Sequence, residues 1–165
     1  MFVYNRDWES SQNLKHIMPM KNYPFAIWLA RAALGLVFVV NVYCALVFIL
    51  QPQNYAGNFE ISGVSGEIIV QSFGILFLMW NATYPPVLLH PDAHRTLFGV
   101  ILAQQLLGLT GETWLLLTLP AGHPALYATG LRFIVFDGFG LLIMTMAYVY
   151  LILSTRAQPD PDTAA

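Results

Sequence analysis

Four long apolar runs, separated by polar and turn-rich stretches, organise this chain. They cover residues 25–50, 66–89, 97–119 and 130–153. About 20 apolar residues in a helix cross the roughly 30 Å hydrocarbon core of a bilayer, so each run is long enough to span. In hydrocarbon every backbone N–H and C=O needs an internal partner, which makes each run a helix; no alternating strand pattern competes. The first run holds no Asp, Glu, Lys or Arg between Arg31 and Glu60, and the second none after Glu67. The third is interrupted by Glu112 and the fourth by Arg132 and Asp137.

The connections add a topology. The polar stretch from Gln51 to Ser65 is the longest loop. Pro85 and Pro86 should break or bend the end of the second helix. The segment from His90 to Arg95 should form a tight hinge, with Pro91 in the first turn of the third helix. The segment from Pro120 to Thr129 should close the last hairpin. Short connections make consecutive helices antiparallel neighbours. The predicted fold is therefore all-α: a polytopic membrane protein with an antiparallel four-helix transmembrane bundle over residues 23–153. Residues 1–22 form a polar tail with scattered apolar positions, a candidate for the membrane surface. Residues 154–165 form a short C-terminal tail. The first apolar run is too long for the core of a signal peptide and reads as a retained span.

Composition agrees with the bilayer. Of the residues 57% are hydrophobic and only 10% charged, against roughly 25% charged in a soluble domain. A water-facing surface could hardly be built from so few charges. The net charge of −2 comes with no basic patch, so a nucleic-acid partner is excluded; the lipid bilayer is the first partner implied. Cys44 is the only cysteine, so an intrachain disulfide and a CxxC redox pair are both ruled out.

Lys and Arg set the expected orientation. Arg6, Lys15, Lys21 and Arg31 precede or open the first helix, Arg95 lies in the second connection and Arg156 follows the fourth helix. Only Arg132 falls on the other side. Both termini should therefore be cytoplasmic. Trp28, Trp80, Trp114, Tyr127 and Tyr150 lie toward helix ends, as an aromatic belt would.

Polar residues inside spans cost several kcal/mol, at least ~2.5–3.5 for a charge on insertion scales, and need a reason. With this orientation Asn41, Glu67, Gln71, Gln105, Glu112, Arg132 and Asp137 all fall in the outer half of the bundle. That agreement in depth points to a polar pocket between the helices, opening to the non-cytoplasmic side, with these seven as candidate ligand-binding residues. Gln105, Gly108 and Glu112 share one face of the third helix, and Gly130, Phe133, Asp137, Gly140 and Met144 one face of the fourth. Arg132 defies the charge bias and opposes the helix dipole, so an anionic partner is expected, Glu112 or Glu67. Asp137 lies about 140° away around the helix. Structural glue between helices is the competing use of all these residues.

Other chemistry is missing. His90 and His94 are spaced as metal ligands, but Pro91 intervenes and no second Cys or His cluster exists, so no metal is expected. No histidine lies within a span, and a nucleophilic triad, a P-loop and a dinucleotide-binding fingerprint are all lacking. No cofactor is called for beyond a quinone or lipid in the pocket.

Arg31-Ala32-Ala33-Leu34-Gly35-Leu36-Val37-Phe38, followed by Pro52, Tyr55-Ala56, Phe59 and Gly63-Val64-Ser65-Gly66, resembles the opening of the DoxX-like membrane proteins. Those proteins have an Arg, a Leu-Gly-Leu and a Phe in helix one, then a Pro and a Gly-Val-Pro-Gly-type turn; here Ser65 replaces the usual Pro. The resemblance covers the first half of the core. It implies a four-helix bundle in a prokaryotic cytoplasmic membrane, with some relatives similar to subunits of quinone-reducing or oxidative-stress complexes, and it transfers no catalytic residue. The leading expectation is a non-catalytic accessory subunit of a membrane complex, redox by that resemblance, acting through a membrane partner or a second copy of itself. A lipid- or quinone-binding pocket protein or enzyme is the alternative, with proton transfer by Glu112 or Asp137, and a small-solute transporter comes last.

Overall fold

A computed structural model describes residues 23–156 of the chain. The expected surface position of the 1–22 tail, and all of the C-terminal tail beyond residue 156, lie outside the described residues. Within them the fold is all-α. Helix α1 spans Tyr23–Leu50, α2 Gln53–Ala56, α3 Gly63–Asn81, α4 Tyr84–Leu89, α5 Arg95–Thr118 and α6 Pro124–Arg156, with a 3-10 turn at Gly57–Phe59. Four helical stretches are long and apolar enough to cross a membrane: Tyr23–Leu50, Gly63–Leu89, Arg95–Thr118 and Pro124–Thr155. The chain is a polytopic α-helical bundle.

The boundaries depart from expectation in instructive places. The last helix begins at Pro124, not near residue 130. Proline has no N–H to leave unpaired in a first helical turn and its φ already suits a helix, so the turn before α6 is shorter than composition suggests. Pro91, expected in the first turn of the third span, is buried in a separate turn ahead of α5, closed by His94 N–H to the His90 carbonyl at 3.1 Å. The Gln51–Ser65 stretch folds into α2, the 3-10 turn and the first residues of α3 rather than an open loop. The second span breaks where two prolines demand it. Pro85 and Pro86 cannot donate to the carbonyls of Asn81 and Ala82, so the helix stops at Asn81 and restarts at Tyr84. Thr83 seals the break, its hydroxyl reaching the Trp80 carbonyl at 3.1 Å and Gln104 Oε1 at 3.3 Å.

Helix α1 is central. It packs along α3 and α6, and α6 packs along α5, while α3 and α5 touch only sparsely. The α1 face is built from Ala26, Ala30, Ala33, Leu34 and Val37, small residues that let neighbouring backbones approach. Closest of all is the approach at Gly74 of α3, where an added Cβ would stand 2.6 Å from the Ala45 carbonyl oxygen.

Two apolar clusters divide the bundle. The larger joins that α1 face to Tyr84, Val87, Phe98, Ile101, Met144, Ala147 and Leu151. The smaller centres on Phe48, Ala56 and Val70 beside the α2 connection. Four phenylalanines close a ring there: Phe48, Phe59, Phe133 and Phe77 meet in sequence at centroid distances of 5.8, 6.5, 6.2 and 6.0 Å.

Polar ties lock both ends. At the α1 start, the Tyr23 hydroxyl donates to Asp92 Oδ2 at 2.7 Å, Arg95 Nε donates to the Asp92 carbonyl at 3.0 Å, and Arg31 donates to the Leu89 carbonyl. At the other end, Glu60 accepts the backbone N–H groups of Ala125 and Leu126 at 3.1 and 3.3 Å, capping α6 from a distant connection.

Candidate functional site

Between the two clusters lies a cavity of about 290 Å3, lined by all four spanning helices. Val40, Asn41 and Cys44 of α1 face it at the level between Val37 of the larger cluster and Phe48 of the smaller one. Helix α3 contributes Phe77, Trp80 and Asn81; α5 contributes Gln105, Gly108 and Glu112. Helix α6 adds Arg132, Phe133, Phe136 and Asp137. Periodicity explains the α5 set: Gln105, Gly108 and Glu112 are spaced three and four apart and fall on one face.

The polar geometry centres on Asp137. Its Oδ1 accepts Gln105 Nε2 at 2.8 Å, from a glutamine only 1% exposed. The Glu112 carboxyl lines the same cavity, one turn along α5 from Gly108. Two glycines allow this crowding. A Cβ on Gly108 would stand 3.1 Å from Asp137 Oδ2 and 3.3 Å from the Trp80 ring, and one on Gly140 would stand 3.2 Å from Gln105 Nε2.

Two buried oxygens at the cavity wall lack a donor. Asn81 is 3% exposed; its Nδ2 is given to the Phe77 carbonyl at 2.7 Å and its Oδ1 has no partner. Glu112 Oε2 is likewise buried without a donor. An unpaired buried polar atom costs about 1–3 kcal/mol; Arg31 Nε and Tyr84 Oη, away from this wall, are the other two of this kind among the described residues.

Of the seven residues singled out by depth, Asn41, Gln105, Glu112, Arg132 and Asp137 lie on this wall. Glu67 and Gln71 do not. Gln71 instead donates to the Ile49 carbonyl at 3.2 Å, fastening α3 to the end of α1. The expected pairing of Arg132 with an acid is not formed among the described residues, where the one ion pair is His123 with Glu60. The earlier start of α6 explains why Arg132 can do without: it stands more than two turns inside the helix, clear of the dipole's positive end, and its side chain is exposed. Arg132 and Asp137 both reach the cavity despite their angular separation, because it lies between the helices and not on a single seam.

Sequence reasoning missed Trp80 and Asn81. The sequence places Trp80 in an interfacial belt and gives no reason by depth to single out Asn81, yet both line the cavity. The cavity thus reaches the last residue of α3. Phe77 and Phe133 of the four-phenylalanine ring form part of the cavity wall. A signal was available: Trp80 and Asn81 immediately precede the double-proline break, where α3 ends inside the span. No group of three or more His, Cys, Asp or Glu suited to a metal ion occurs among the described residues. No family model, no curated protein and no solved structure matches the chain.

Proposed function

We propose that this is a membrane protein that takes a small lipophilic molecule from the bilayer and holds its polar headgroup in the cavity between the helices. The observation that carries this reading is Asn81, a buried amide on the cavity wall whose carbonyl oxygen has no partner. A purely structural amide would be satisfied on both sides. The cavity volume of about 290 Å3 stands at the lower edge of the ~300–1,000 Å3 usual for small-molecule sites. Entry is lateral in this reading: α3 and α5 pack sparsely, and Trp80 lies against Gly108 in their seam near the cavity. A lipid or quinone with a compact headgroup fits these features, with its tail left in the bilayer.

This reading takes precedence over an accessory subunit because the cavity has unsatisfied groups of its own. A carrier would have to open the tightly packed cluster around Leu34, Tyr84 and Phe98. The proposal extends to a DoxX-like kinship, resting on the Arg31–Phe38 and Gly63–Gly66 segments, and to a prokaryotic cytoplasmic membrane with both termini inside, resting on Arg31 and Arg95 at the Tyr23 end.

The test is photolabelling in nanodiscs with a diazirine-bearing fatty alcohol. Adducts on Phe77, Trp80 or Phe133 that an excess of unlabelled lipophile removes are expected. Labelling confined to lipid-facing positions such as Leu107 and Val135 would overturn the reading.

A further inference from the structure

Every unpaired atom on the cavity wall named above is an oxygen. Asn81 Nδ2 is committed to the Phe77 carbonyl, so what Asn81 offers the cavity is an acceptor. Glu112 Oε2 is a second. Glu112 and Asp137 line one cavity and neither is ion-paired among the described residues, and Arg132, the cation on the wall, is exposed and makes no ion pair there either. Carboxyl groups taken out of water need a counter-charge or a donor. Much of the remaining wall is aromatic, from Phe77, Trp80, Phe133 and Phe136, and aromatic surroundings favour cations over anions.

These features select among headgroups. An oxidised quinone presents acceptors only and would leave both oxygens unpaired. An alcohol presents one donor and no charge. An ammonium presents three donors and a positive charge. Resting on the pocket reading above, we propose that the cavity binds a lipophilic primary amine as its ammonium ion, donating to Asn81 Oδ1 and to the Glu112 and Asp137 carboxyls, with the alkyl chain leaving between α3 and α5.

Cys44 offers a native reporter, since it is the only cysteine and lies on the cavity wall. The protein in nanodiscs is treated with methyl methanethiosulfonate, and the rate of Cys44 modification is followed by mass spectrometry. Octylammonium, octyltrimethylammonium, octan-1-ol, octanoate and a short-chain quinone are the competitors. Octylammonium should slow modification saturably, by about tenfold more than the alcohol or the quaternary ion at equal membrane concentration, the difference a charge-assisted hydrogen bond makes. Glu112→Gln should remove that protection. Asn81→Leu is the second variant, because its side-chain amide bonds only to its own helix; relative to its own rate without competitor, it should show octylammonium protection weakened to the level of the quaternary ion. Equal protection by the alcohol, the quaternary ion or the quinone would overturn the amine assignment and leave the pocket reading standing. Unchanged rates with every competitor would overturn both.

Discussion

Gln105 of α5 and Asp137 of α6 hold each other across the bundle at 2.8 Å. The glutamine is buried and Gly140 makes room for it. This bond holds the Asp137 carboxyl at the cavity that Glu112 also lines. Gln105→Leu should therefore strip Asp137 Oδ1 of its donor and cost about 1–3 kcal/mol. Asp137→Asn keeps an acceptor for Gln105 and should cost less. Unfolding of both variants and of the double mutant in one detergent gives the coupling energy, which should be well above zero.

Glu60 and His123 form a second tie between distant parts of the chain, 2.5 Å long. The hydrogen bond from His123, reinforced by the Ala125 and Leu126 amides, holds the Glu60 carboxyl below its ordinary value of 4.5. A depressed carboxyl stabilises the folded chain above the unfolded value and loses that stabilisation as pH falls through the folded one. The melting temperature should therefore drop on acidification below pH 4.5, and Glu60→Ala should flatten that part of the profile. An identical acid limb in the variant would contradict the assignment.

Asp92 works in the same direction at the other end. The Tyr23 hydroxyl is the main cause holding its carboxyl below the ordinary 3.8. Tyr23→Phe should cost about 0.5–1.5 kcal/mol at neutral pH. The loss relative to the parent should shrink as pH falls below 3.8, which a pair of melting curves at pH 7 and pH 3 measures.

Gly74 permits the tightest helix approach in the fold. Its added Cβ would meet the Ala45 carbonyl oxygen at 2.6 Å and Ile49 Cγ1 at 2.7 Å. Gly74→Ala should destabilise by about 1–3 kcal/mol through overpacking. Gly111→Ala, where nothing lies within 4 Å, should be neutral or gain up to about 1 kcal/mol of helix propensity. Thermal unfolding of the two variants separates close packing from a general glycine effect.

The four spans were legible because they are local: twenty or so apolar residues in hydrocarbon have no option but a helix, whatever surrounds them. The proline break after Asn81 was legible for the same reason, since a missing N–H acts on carbonyls four residues back. Shared faces are legible too: the three-and-four spacing alone groups Gln105, Gly108 and Glu112. What remained hidden depended on phase and start point. Six extra residues at the head of α6 move Arg132 away from the helix terminus. Gln71 turns to the Ile49 carbonyl and leaves the polar group it matches in depth.

The sequence by itself thus determined the number, type and approximate extent of the helices, because hydropathy and backbone pairing act over a few turns. Only the tertiary structure decided that Glu112 and Asp137 line one cavity, that Asn81 and Trp80 join it, and that Phe77 and Phe133 share its wall. Those meetings depend on how each helix is rotated and shifted against its neighbours, which close packing at Gly74, Gly108 and Gly140 sets and no single segment encodes.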